Sequence, residues 1–192
     1  MYVRSFALAL VVSITGLAIG QPTSIGLTGK TMLLAANEVK KELKLTKDQE
    51  KQIQGMMNDA QKNPAKYASM DMTYMTRGMD KEVVTFLTVE QNARLNELFW
   101  QFNGLFALSE PELCTALSLS EEVRAQAQTL VRAYNKATTD EFISSKGRPD
   151  KKKLETLKSE AVKSLEGLLT PSDLDKWKEV QGKPFKFTSF RK

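Results

Sequence analysis

Leu45-Thr46-Lys47-Asp48-Gln49 is the stretch whose reading decides the fold, and it recurs as Leu87-Thr88-Val89-Glu90-Gln91. Weaker echoes stand at Leu119-Ser120-Glu121-Glu122-Val123 and Leu169-Thr170-Pro171-Ser172-Asp173. Each reads as a helix start. Thr46, Thr88, Ser120 and Thr170 are N-caps, their hydroxyls accepting an otherwise orphaned backbone N–H. Gln49 and Gln91 stand at N3, from where a side-chain carbonyl reaches back to the cap amide and closes a capping box. The Leu before each cap folds onto the new helix, and Leu169 and Leu174 have the N′/N4 spacing of a hydrophobic staple.

Outward from these starts, apolar residues recur with the helical period. Met32, Ala36, Val39 and Leu43 make one stripe before the first box, and Ile53, Met56, Met57 and Ala60 make one after it. Asn63-Pro64 breaks that helix, since Pro lacks an N–H and disfavours helix in the residue before it. Met72, Met75, Met79, Val83 and Phe86 form the next stripe. After Thr88 comes the most aromatic one, Leu95, Leu98, Phe99, Phe102 and Phe106, with Trp100 beside it. Ser109 reads as a cap with Pro111 just inside and Glu112 at N3. A long helix continues through Val123, Ala127, Leu130, Val131, Tyr134 and Phe142. Ser144–Pro149 is a loop, Asp150 caps a helix carrying Leu154, Leu157, Ala161, Leu165 and Leu168, and the last box opens a helix that Gly182 ends. The expected fold is all-α. Phe185-Lys186-Phe187-Thr188-Ser189-Phe190 alternates apolar and polar residues, predicting an extended tail over 183–192 anchored by Phe185 and Phe187.

The chain also repeats. Residues 38–62 shifted by 74 lie on 112–136 without a gap, with Glu38/Glu112, Leu43/Leu117, Leu45/Leu119, Gln52/Gln126, Gln54/Gln128 and Lys62/Lys136 identical. A shift of 82 lays Leu87-Thr88 on Leu169-Thr170 and Val83 on Leu165. The reading is two tandem amphipathic helical units, 31–108 and 109–182, behind a flexible lead-in over 21–30.

The first twenty residues have the form of a signal peptide: Arg4, then an apolar run from Phe6 to Ile19, then Ala18 and Gly20 at the −3 and −1 positions of a cleavage site before Gln21. The run is short for a membrane span. This predicts a periplasmic or secreted protein cleaved after Gly20. The single cysteine, Cys114, has no partner within the chain and reads as a small buried hydrophobe beside Leu113 and Leu117.

The composition excludes several chemistries. With no His in 192 residues, Ser-His and Cys-His nucleophilic pairs and most zinc sites are ruled out. No Gly-rich phosphate loop and no Gly-x-Ser-x-Gly elbow occurs. We therefore expect no enzyme and no cofactor. The net charge of +5 is modest. The basic run Lys146, Arg148, Lys151, Lys152 and Lys153 suits contact with an anionic surface. It has no interleaved aromatics, so nucleic acid is not expected. Six of the eight Met residues are Met56, Met57, Met70, Met72, Met75 and Met79. They read first as core, second as an adaptable client-binding groove together with Phe99 and Phe102, and third as a soft-ligand Cu(I) site at Met70, Met72 and Met75.

The Leu-Thr-x-x-Gln pentapeptide, used twice in an exported helical chain, resembles the signature of the Spy/CpxP group of periplasmic proteins. Positions 45–49 and 87–91 match it in full; 119–120 and 169–170 match its first half, Val123 and Asp173 replacing Gln. The chain is also similar to uncharacterised secreted bacterial proteins that pair this motif with a Gly-x-Pro-Phe tail, here Gly182-Lys183-Pro184-Phe185. The resemblance implies ATP-independent holding of apolar segments of unfolded or partly folded envelope proteins, with a metal-responsive or purely structural envelope role as alternatives. Proteins of that group work as dimers, so two fused units imply a monomer that mimics one.

Overall fold

The computed structural model describes residues 27–63 and 77–190. The segment expected to be a signal peptide and Met70, Met72 and Met75 lie outside the described residues, as does most of the expected lead-in. The fold is all-α: α1 (Lys30–Leu33), α2 (Asn37–Glu42), α3 (Lys47–Lys62), α4 (Arg77–Val83), α5 (Val89–Asn103), α6 (Pro111–Leu117), α7 (Glu121–Ser144), α8 (Lys151–Glu166) and α9 (Pro171–Val180). Short 3-10 turns occupy Val84–Phe86 and Gly104–Ser109. No strand occurs among the described residues.

Caps divide the chain. The hydroxyls of Thr46, Thr88, Ser120 and Thr170 accept from the N3 amides of α3, α5, α7 and α9, and Asp150 accepts from the Lys152 amide of α8. Three helices stop in the same way. Lys44, Ser118 and Lys146 have φ of 51°, 58° and 53°, and the next amide closes back onto the preceding turn: Leu45 N to Lys40 O, Leu119 N to Cys114 O and Gly147 N to Phe142 O. This is the Schellman closure. At Lys44-Leu45-Thr46 and at Ser118-Leu119-Ser120 the stop of one helix and the cap of the next share one Leu. The two corners have the same backbone form and lie 74 residues apart.

The stripe from Met32 to Leu43 is not one helix. Leu34–Ala36 form a turn between α1 and α2, and Met32 is 46% exposed. The start of α1 is set by a tertiary contact. The Asp80 carboxylate of α4 accepts from Lys30 N (3.0 Å), Thr31 N (2.8 Å) and Thr31 Oγ1 (2.7 Å), fixing the start of α1 from another element. Burial pushes the Asp80 carboxyl above its usual range, against the pull of the Thr31 and Lys30 hydrogen bonds. The end of the lead-in is also tied down: Thr28 N donates to Asn103 Oδ1 (2.9 Å), and Asn103 Nδ2 donates to Thr28 O (3.1 Å).

Ser109 is not a cap. It is fully buried, and its hydroxyl donates to Phe106 O (3.0 Å), while Glu110 holds the N-cap position of α6 without a side-chain capping bond. The stretch Gly104–Ser109, where the two expected units join, is packed by α5, α6, α7 and α8. Phe106, Ala107, Leu108 and Ser109 are all buried there. One apolar cluster runs from Leu33 and Val39 through Leu95, Leu98 and Leu113 to Val131, Leu165, Trp177 and Phe187. Cys114 is inside, its thiol donating to Leu108 O (3.1 Å).

Candidate functional site

The two full pentapeptides meet. Gln49 Oε1 accepts from its own cap amide, Thr46 N, at 3.0 Å, and Gln91 Oε1 accepts from Thr88 N at 2.9 Å. The Gln49 Nε2 group donates to Gln91 Oε1 (2.7 Å) and to Phe86 O (2.9 Å). In return Gln91 Nε2 donates to Gln49 Oε1 (3.1 Å) and to Leu43 O (3.1 Å). A side-chain amide offers two N–H donors and one oxygen with two lone pairs. Both amides use this full capacity. Each closes its own box, holds its counterpart, and satisfies a carbonyl in the chain just ahead of the other motif. Asn is too short for the reach, and Glu has no N–H to give.

The second half keeps one box, at Thr170, and loses the pairing. Asp173 closes the Thr170 box, its carboxylate accepting from Thr170 N (3.0 Å) and from the Thr170 hydroxyl (2.7 Å), and these bonds lower its pKa. At Ser120 the N3 residue is Val123, which contributes its backbone amide alone. The motif leucines point inward: Leu169 is buried, and Leu45, Leu87 and Leu119 are half-buried against the core.

The apolar residues expected to meet clients divide by burial. Met56 (4% exposed), Phe99 (3%) and Phe102 (5%) are core residues, in line with the core reading of their stripes, and they do not line an exposed groove. Met57 and Met79 are half-buried at the edge of the same cluster. A cleft of about 410 Å³ on the second half is lined by Glu122, Ala125, Gln126, Thr129, Leu130 and Leu168. Periodicity marks Leu130 and Leu168 as core positions, yet both remain partly exposed.

Phe102 is buried because the tail lies on it. Phe187 (1% exposed) and Phe190 meet its ring edge-on, with centroids 5.0 and 4.8 Å away, and Phe185 meets Phe187 at 4.9 Å. The backbone of this strap is gripped by side chains. Gln101 Nε2 donates to Gln181 O (2.5 Å) and Lys183 O (2.9 Å), and Phe185 N donates to Gln101 Oε1 (2.8 Å). Glu38 of α2 accepts from Thr188 N (3.0 Å), Ser189 N (2.6 Å) and Ser189 Oγ (2.5 Å). Burial acts to raise the Glu38 pKa, but the Ser189 and Thr188 hydrogen bonds together outweigh it and hold it at about 2. Gly182 makes the turn into the strap with φ 63°, and a Cβ there would sit 2.2 Å from the Glu97 carboxylate. Sequence periodicity predicts the extended form of the tail. It gives no sign of Gln101 or Glu38, whose roles rest on contacts across 80 and 151 residues.

In the basic run, Lys153 pairs with the buried Glu141 carboxylate, tying α8 to α7 across the loop. Lys146, Arg148, Lys151 and Lys152 are exposed. Among the described residues no group of three or more Cys, Asp or Glu side chains is gathered as metal ligands would be, and no helix is long and apolar enough to cross a membrane. No protein-family model, curated protein or solved structure matches the chain.

Proposed function

We propose that this chain is an exported, non-enzymatic holding protein related to the Spy/CpxP group, binding apolar segments of unfolded or partly folded envelope proteins without ATP. The observation that carries the reading is the reciprocal Gln49–Gln91 pair. It gives the Gln of Leu-Thr-x-x-Gln a task that a helix cap alone does not require, and so accounts for two full copies in one unit. The half-buried Met57 and Met79 and the open cleft at Leu130 and Leu168 supply adaptable apolar surface, and flexible thioethers repack against varied partners. In this reading the two units, 31–108 and 109–182, act as a fused pseudo-dimer and the mature chain is a monomer.

The test is suppression of aggregation. An unfolded model protein is diluted from denaturant with and without the mature chain, and light scattering is followed. Suppression at low molar ratio is the expected outcome, and its absence removes the holding role. Static light scattering on the mature chain should give the mass of one chain; an obligate dimer would overturn the pseudo-dimer.

A further inference from the structure

We propose that the trough formed by Glu38, Gln101 and Phe102 is a binding site for extended segments with aromatic residues at alternate positions, and that the chain's own tail is its resident occupant. Three observations carry this. The grip on the tail is mostly on backbone: beyond Gly182, Gln101 binds the Lys183 carbonyl and the Phe185 amide, and Glu38 binds two consecutive amides. Backbone contacts of that kind give affinity to any extended chain, while pockets for alternate side chains set preference. Those pockets are aromatic. Phe187 is sealed against Phe102 with Phe185 and Phe190 on either side, while Lys186 and Thr188 point outward and are exposed. The third observation is that the occupant sits at the end of the helical body. It comes after Gly182, beyond the last helix, so it can lift without breaking a helix.

The occupant in trans is an aromatic-x-aromatic segment of an unfolded protein. Such segments are buried in folded proteins and exposed only in unfolded ones, so the strap acts as a built-in competitor that weak or folded partners do not displace. A tethered competitor is present at roughly millimolar effective concentration. The dissociation constant seen by a segment in trans is therefore the intrinsic one divided by the fraction of open trough. This proposal rests on the holding role above.

The probe is a fluorescent peptide with the sequence of Lys183–Phe190, titrated into the full mature chain and into a full chain carrying Phe187→Ala and Ser189→Ala. Anisotropy should show binding at least about tenfold tighter to the substituted chain. Adding Gln101→Leu, or placing Ala at the Phe187 position of the peptide, should abolish it. Equal binding to the two chains, with the helical circular dichroism unchanged, overturns the proposal. If the substituted chain loses its helices, amide exchange on the wild-type chain decides. The Phe185, Thr188 and Ser189 amides should exchange faster than those of Leu98 and Phe99; exchange only with the global core would overturn the independent strap. A chain mass that doubles with concentration and reverts in the substituted chain would assign the trough to a second copy's tail and overturn the client assignment. Peptide binding that fails while aggregation is still suppressed removes the trough alone. Peptide binding without suppression removes the holding role alone.

Discussion

Gln49 and Gln91, one from each full pentapeptide, exchange side-chain amide hydrogen bonds at 2.7 and 3.1 Å while each still closes its own capping box. One residue type therefore caps two helices and fastens their starts together. The fastening separates two effects that mutation can read independently.

Gln91→Glu keeps the box, because a carboxylate still accepts from Thr88 N. It removes the N–H groups that satisfy Leu43 O and Gln49 Oε1. Leaving the partly buried Leu43 carbonyl without this donor should cost about 1–3 kcal/mol, read by urea unfolding at pH 7. Gln49→Glu should behave alike, and the double mutant should be markedly non-additive because the two residues share one network. Additive losses would mean that the pair does not act as a unit.

Thr46→Ala and Thr88→Ala should each lower stability by about 0.5–2 kcal/mol, the range for losing an N-cap hydroxyl. Thermal melts check it. Wild-type melting in both mutants would show that the hydroxyls seen accepting from the Gln49 and Gln91 amides contribute nothing.

Acid should release the strap. The folded-state pKa of Glu38, about 2, lies below its ordinary value of 4.5. The stabilisation is therefore complete above pH 4.5 and is lost as pH falls from there through about 2. The Ser189 amide resonance tracked against pH should titrate with a midpoint near 2, and Glu38→Gln should remove that titration. A midpoint at the ordinary value would show that the carboxylate is not held by the tail.

Gly182→Ala should cost at least about 1–2 kcal/mol, the penalty for a side chain in the left-handed region. The new methyl also meets Glu97, which cannot simply turn away because Arg94 binds both it and Glu42. Faster exchange of the Phe185 amide, with α5 amides unchanged, would locate the damage in the strap. Wild-type exchange and stability would show that the turn tolerates a Cβ.

By itself the sequence determined the helices that it could close locally. Thr46, Thr88, Ser120, Asp150 and Thr170 each cap the helix that begins at the next residue, and a cap bond spans only two or three residues. The aromatic stripe of α5 lies in the core as its period predicts, since an amphipathic helix buries its one apolar face. The tail's alternation foretold that Phe187 would be buried while Lys186 and Thr188 stay exposed, though Ser189 and Phe190 close in a turn. Tertiary structure alone decided what the polar side chains would hold. Asp80 fixes the start of α1 from α4. Packing from both halves turns Gly104–Ser109 into core and Ser109 into a buried donor. Gln49 finds Gln91, Gln101 grips the tail, and Phe102 disappears beneath it. The physical reason is one of range. Capping and periodicity act within a turn or two of the chain, whereas a side-chain amide or carboxylate satisfies whichever backbone groups folding carries to it.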